Sequence, residues 1–155
     1  MLASTPTADF VDHGDGTVTH TPTGLMWKRC VEGQTWNNSN NTCSGTVSGF
    51  DWRQALQRAQ TVNASDSGAG FAGYDDWRLP NVKELLSITE QRCSAGAVNA
   101  AIFPGLSTFV WTSSPVHDNS SNERRAWYIA TGTANVATDS FDRSNVRVLL
   151  VRAGQ

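Results

Sequence analysis

The sequence reads as an α+β domain in which helices are segregated from antiparallel strands. Three observations carry this reading. An apolar stripe at helical spacing runs from Trp52 to Val62, a shorter one follows Asn81, and the last third switches to short β-prone runs between polar turns. No repeat and no Pro- or Ser-rich linker divides the 155 residues, a length that suits a single domain over 1–155. Residues 1–8 are expected to form a flexible lead-in.

The elements follow in chain order. Phe10-Val11 and Thr17-Val18-Thr19 flank Gly14-Asp15-Gly16 as a hairpin, and a Thr21-Pro22-Thr23-Gly24 turn leads into Leu25-Met26-Trp27-Lys28. The clearest helix begins after Asp51, an N-cap residue, with Trp52, Ala55, Leu56, Ala59 and Val62 on one face. After a Gly-rich stretch from Ser67 to Gly73, Asn81 opens a second helix. Val82, Leu85 and Leu86 share its face, Asn81 with Glu84 makes a capping box, and it is expected to end near Thr89. Residues 93–109 read as irregular, with a turn at Pro104-Gly105. Phe109 to Thr112, Ala126 to Ala130, Asn135 to Ala137 and Val146 to Val151 read as strands.

Composition narrows the function classes. The chain is 39% hydrophobic and 17% charged with a net charge of −2, unlike a disordered chain or a coiled coil. A domain of this size buries roughly 70% of its unfolded surface and needs no metal to fold. No apolar run approaches the ~20 residues that span a bilayer, so no direct membrane insertion is expected. A pI near 5.8 argues against nucleic acid as a partner. Met1 to Ala8 lacks the basic start and apolar centre of a signal peptide.

Cys30 and Cys43 bracket a polar, Asn-rich loop that apolar burial could not hold in shape. A disulfide between them would contribute about 3 kcal/mol and imply an oxidising compartment; two free thiols is the alternative. Cys93 is left over, either buried or paired with another chain. His13, His20 and His117 stand in polar contexts without zinc-like pairing and read as surface residues. No metalloprotease, nucleophile-elbow or phosphate-loop motif occurs. Asp9, Asp12 and Asp15 form one oxygen-rich cluster, and Asp118, Asn119, Asn122 and Glu123 another. Calcium could use either, and turn chemistry explains both, so no cofactor is expected, with calcium as the alternative.

Several motifs together resemble a known family. They are Asp15-Gly16-Thr17-Val18-Thr19 with Thr23-Gly24-Leu25-Met26-Trp27, and Asp75-Asp76-Trp77-Arg78-Leu79-Pro80-Asn81 with Glu84-Leu85. Phe103-Pro104, Trp111-Thr112-Ser113-Ser114, Ala126-Trp127 and Val151-Arg152-Ala153-Gly154-Gln155 follow in order. This series resembles the DUF1566 family, also named for the C-terminal domain of the Legionella collagen-like adhesin, over about Phe10 to Gln155. The resemblance implies a C-type-lectin-like fold related to formylglycine-generating enzymes, with two helices packed on a twisted antiparallel sheet and long irregular loops. It also implies an exported bacterial module at the cell surface, the Legionella domain being trimeric and binding sulfated glycosaminoglycans. The expected location is therefore secreted, periplasmic or cell surface.

The chain departs from family patterns at His20, where many members carry an acidic residue or Asn, and at Leu149, where many carry Arg. The calcium-lectin signatures Glu-Pro-Asn and Trp-Asn-Asp are absent, Trp36-Asn37-Asn38 lying in the wrong half of the chain. No Cys follows Cys93, so the cysteine pair of formylglycine formation is missing and an enzyme is not expected.

Most signature residues read as structural. Trp77 and Leu79 are expected in the core, and Pro80 stops the extended run. Arg78 is expected to pair with Asp75 and Asp76, gripping an anionic ligand being its alternative role. Trp27, Trp52, Trp111 and Trp127 read as core by pattern. Trp36, in the polar loop, is expected to stack on a sugar, pack at a subunit contact, or pack under its own loop. The C-terminal loops supply the candidate ligand contacts: Asp118, Asn119, Asn122, Glu123, Arg124, Arg125, Asp142, Arg143 and Asn145. The expected partner is a cell-surface glycan, including sulfated or anionic ones, or a protein. A trimerising tip, a hypervariable display protein and an enzyme of the formylglycine-generating type are the competing readings.

Overall fold

A computed structural model describes residues 4–90, 98–117 and 122–154. Turn chemistry builds the first sheet. Between β1 (Phe10–Asp12) and β2 (Thr17–His20), Asp12 accepts from the Gly14 N–H, while Asp15 accepts from both the N–H and the hydroxyl of Thr17. Gly16 has φ 90°, and a Cβ there would lie 3.0 Å from that of Trp36, so the turn needs glycine for both conformation and space. β3 (Leu25–Lys28) follows antiparallel, and β9 (Val151–Ala153) completes the order β1-β2-β3-β9.

The polar loop is a hairpin. β4 (Thr35–Asn37) pairs with β5 (Thr42–Ser44), placing Trp36 opposite Cys43, and Cys43 is disulfide-bonded to Cys30. Cys93 lies outside the described residues.

Both sequence-predicted helices form with their capping boxes, Asp51 with Gln54 for α1 (Trp52–Asn63) and Asn81 with Glu84 for α3 (Val82–Ser87). Between them α2 (Ser65–Gly68) is a single irregular turn. α1 buries Ala55, Ala59 and Val62, while Trp52 and Leu56 are half-buried. α3 stops short of Thr89 because the Ile88 and Thr89 N–H groups bond back only three residues, after which Thr89 bridges to Val98.

The last third forms a second sheet, β6 (Phe109–Pro115), β7 (Arg125–Ala130) and β8 (Asn135–Ser140) in that order. Among the described residues the expected single sheet is thus two small sheets and a hairpin. The architecture is mixed α+β with few helices.

Of the run 146–151, expected as a strand, only Val151 joins one, in β9, and 146–150 threads between two cores. Leu149 and Val151 join a cluster with Trp27, Leu85, Phe103 and Ile129, while Val146, Val148 and Leu150 join one with Ala55, Trp77 and Trp111. Its carbonyls accept from the N–H groups of Phe50, Trp111, Glu32 and Lys28, and Val151 exchanges two bonds with Arg78. Such dispersed partners satisfy the backbone without making a ladder.

Two further expectations change. His20 is not at the surface: it is 4% exposed, 4.8 Å from the Phe10 ring, with Nδ1 bonded to the Thr23 hydroxyl. Within the lead-in, Ser4 bonds the Glu90 carboxylate through N–H and hydroxyl, and Thr5 is buried, so the chain is anchored from Ser4 onward. Among the described residues no helix is long and apolar enough to cross a membrane.

Candidate functional site

Four of the sequence-predicted residues meet around one polar cavity. Asn122, Glu123 and Arg124 approach β7, Asp142 follows β8, and they line a space of about 330 Å³ with Arg53, Ser140 and Phe141. Phe141 fixes this arrangement. Its ring stacks on Trp52 with centroids 4.2 Å apart, its carbonyl accepts from the Trp52 N–H, and its own N–H reaches the Arg124 carbonyl. Trp52 is held in turn by its indole N–H on the Thr112 carbonyl at 2.8 Å. Two loops and the start of α1 are thus tied together by one stacked pair.

Charge in the cavity is balanced. Arg53 and Arg124 face Glu123 and Asp142, all exposed, with no ion pair among the described residues. The side chains offer donors and acceptors together, without a dominant sign. Arg53 was not evident from the sequence, because a charged residue on the outer face of a helix looks like ordinary solvation. One signal was available: a cation in the first turn opposes the helix dipole, at a cost of about 0.3–1 kcal/mol, so it does nothing for the helix itself.

The remaining predicted arginines are engaged elsewhere. Arg125 donates to the Thr138 carbonyl at 2.9 Å. Arg143 pairs with Asp139, lies over the rings of Phe109 and Tyr128, and donates to Asn145. The Arg143 guanidinium holds the Asp139 carboxyl below its ordinary range, its hydrogen bond being the largest cause. The three arginines therefore do not form a common basic patch. Asp118 and Asn119 lie outside the described residues.

Trp36 is separate from this site. It is half-buried under the Arg29 guanidinium, 3.7 Å from the ring centroid. Its indole N–H is buried without a hydrogen-bond partner. Asp12, from the first oxygen-rich cluster, is ion-paired to Arg29. Trp127 is half-buried, lining a groove with Lys83 and the exposed Val136, because the short α3 leaves that part of the sheet open.

The residues of the aspartate-tryptophan-arginine-leucine-proline signature are buried or paired within the fold, with changed partners. Trp77 and Leu79 are each 2% exposed, and Pro80 is buried just before the capping Asn81. Arg78 pairs with Glu84 through two bonds of 2.7 Å, not with Asp75 or Asp76. Asp76 is taken by Arg152, which reaches both its oxygens at 2.6 and 3.2 Å and lies over the Tyr74 ring. Bidentate partners on α3 and β9 outcompete the neighbours in sequence.

A model of the Lcl C-terminal domain family matches residues 16–152. No curated protein matches the chain.

Proposed function

The chain belongs to the Lcl C-terminal domain family, and from that premise we propose that it is a non-catalytic binding module of an exported bacterial surface protein. Its scaffold is read as C-type-lectin-like, its long irregular connections serving as ligand loops. The ligand is a glycan held chiefly through its hydroxyls. The observation that carries this reading is the cavity of Arg53, Asn122, Glu123, Arg124 and Asp142, where exposed donors and acceptors of balanced charge surround about 330 Å³. A hydroxyl both donates and accepts, so it suits such a lining better than a polyanion, which needs a surplus of cations.

The test is a glycan array probed with the domain displayed on beads, since avidity raises weak single-site binding by roughly 10²-fold or more. Neutral glycans are expected to bind with little dependence on salt, and Arg53→Gln or Arg124→Gln to reduce the signal. Binding confined to sulfated chains and abolished by salt would replace hydroxyl recognition with charge recognition. Loss in EDTA would bring calcium into the site, and a blank array would end the glycan reading.

A second reading, assembly into a homotrimer, rests on β8. Among the described residues this six-residue strand pairs only with β7, and it exposes Val136 along its free edge. Light scattering that gives a stable trimer without ligand would favour it.

A further inference from the structure

The positive charge that the C-terminal loops do not concentrate is gathered beneath the β4–β5 hairpin. There Lys28 and Arg58 both bind the buried Glu32, Nζ to Oε1 at 2.5 Å and Nε to Oε2 at 2.8 Å. Two cations on one carboxylate leave one surplus positive charge. Lys28 is 8% exposed, so its share of this charge is poorly screened by solvent, while the Arg58 side chain is 36% exposed. The neighbouring charges do not cancel it: Arg29 has its own partner in Asp12, and the exposed Asp15 turns its carboxylate to Thr17.

A cavity of about 280 Å³ opens against this cluster, walled by the rings of Trp36 and Phe71. Donor capacity remains there. Arg58 uses only Nε on Glu32, leaving both terminal nitrogens without a partner among the described residues. Lys28 gives one N–H to Glu32 and sits 4.2 Å over the Phe71 ring centroid. A planar guanidinium edge with two free nitrogens matches the two oxygens of a carboxylate, and a neighbouring ammonium adds a point charge. The space is smaller than the ~300–1,000 Å³ of drug-sized pockets, and its aromatic walls suit one flat or ring-shaped body.

We propose that this cavity is a second binding site, for a carboxylate carried on a single ring. Arg58 grips the carboxylate, Lys28 supplies charge, and Trp36 with Phe71 holds the ring. The site is separate from the C-terminal cavity and does not depend on what binds there. Two sources share this chemistry, an acidic sugar and an aromatic acid.

The Trp36 indole N–H resonance in the folded, oxidised domain reports on the site. Glucuronate, benzoate and inorganic sulfate are the probes. A saturable shift with at least one ring carboxylate, half-complete below about 10 mM, is expected, with sulfate about tenfold weaker. The stronger of the two organic acids identifies the source. Arg58→Gln, which leaves the Lys28–Glu32 pair intact, should weaken binding about tenfold, and Arg58→Lys by less. Arg124→Gln should leave it unchanged. No saturable shift from either acid by about 50 mM overturns the proposal. So does undiminished binding in Arg58→Gln, and sulfate binding as tightly as the acids would remove the assignment to a ring-borne carboxylate.

Discussion

Asn63 shows how much of this fold rests on single polar side chains. At the last residue of α1, its amide donates to the Trp77 carbonyl and accepts from the Trp77 N–H, both at 2.8 Å. It acts as a strand partner for the Trp77 backbone, while the Trp77 indole is fixed on the Phe71 carbonyl at 3.0 Å. Asn63→Ala would strand a donor and an acceptor beside a tryptophan that is 2% exposed. The expected cost is about 2–4 kcal/mol, read as a lower midpoint in urea with an unchanged slope. A loss below about 0.5 kcal/mol would mean that water replaces the amide. The same principle explains the two redirected ion pairs. Arg78 and Asp76 are near neighbours in sequence, yet each finds a partner with better geometry on another element.

At the scale of elements, the β4–β5 hairpin is held by chemistry more than by packing. Its strands are three residues each and expose Thr35, Thr42 and Ser44, so the Cys30–Cys43 bond carries much of its order. Replacing both cysteines with serine should cost about 3 kcal/mol. Limited proteolysis should then cut first between residues 33 and 44, while far-ultraviolet circular dichroism stays near that of the parent. An uncut hairpin would show that Arg29 stacked on Trp36 suffices. The elements that sequence revealed well were those with local causes. α1 has its stripe and cap, α3 its capping box, and the first hairpin its Asp and Gly turns. The segment 146–150 was not legible as a partition between two cores, because its backbone partners come from segments far apart in the chain. The candidate site was legible in part for the same reason. Asn122, Glu123, Arg124 and Asp142 sit in polar loops that announce themselves, whereas Arg53 is hidden in a helical period. Arg125 and Arg143 looked free because the Thr138 carbonyl, the Asp139 carboxylate and the aromatic pair that hold them are reached only on folding.

For the whole molecule, acid acts in one direction through groups placed in both sheets and at α3. Burial pushes the His20 imidazole below its ordinary value of 6.5, outweighing the nearby Asp9. The folded state then binds fewer protons than the unfolded one, so stability is complete above pH 6.5 and falls as the pH drops toward the lower folded value. Asp76, Glu84 and Asp139 are each held below the carboxylate range, first of all by hydrogen bonds from Arg152, Arg78 and Arg143. Their contributions are present above the ordinary values of 3.8 and 4.5 and disappear as the pH falls through the depressed ones. Asp76 is about half exposed and Asp139 about a third, so solvent screening makes these two the smaller contributors and Glu84 the larger. Urea midpoints measured against pH should therefore fall in two stages, one below 6.5 and one below 4.5. His20→Gln, which can still bond Thr23, should flatten the first stage and leave the second. A first stage that persists in that variant would assign it to a group other than His20. A profile level down to 4.5 would mean that the buried ring adds no acid sensitivity to the fold.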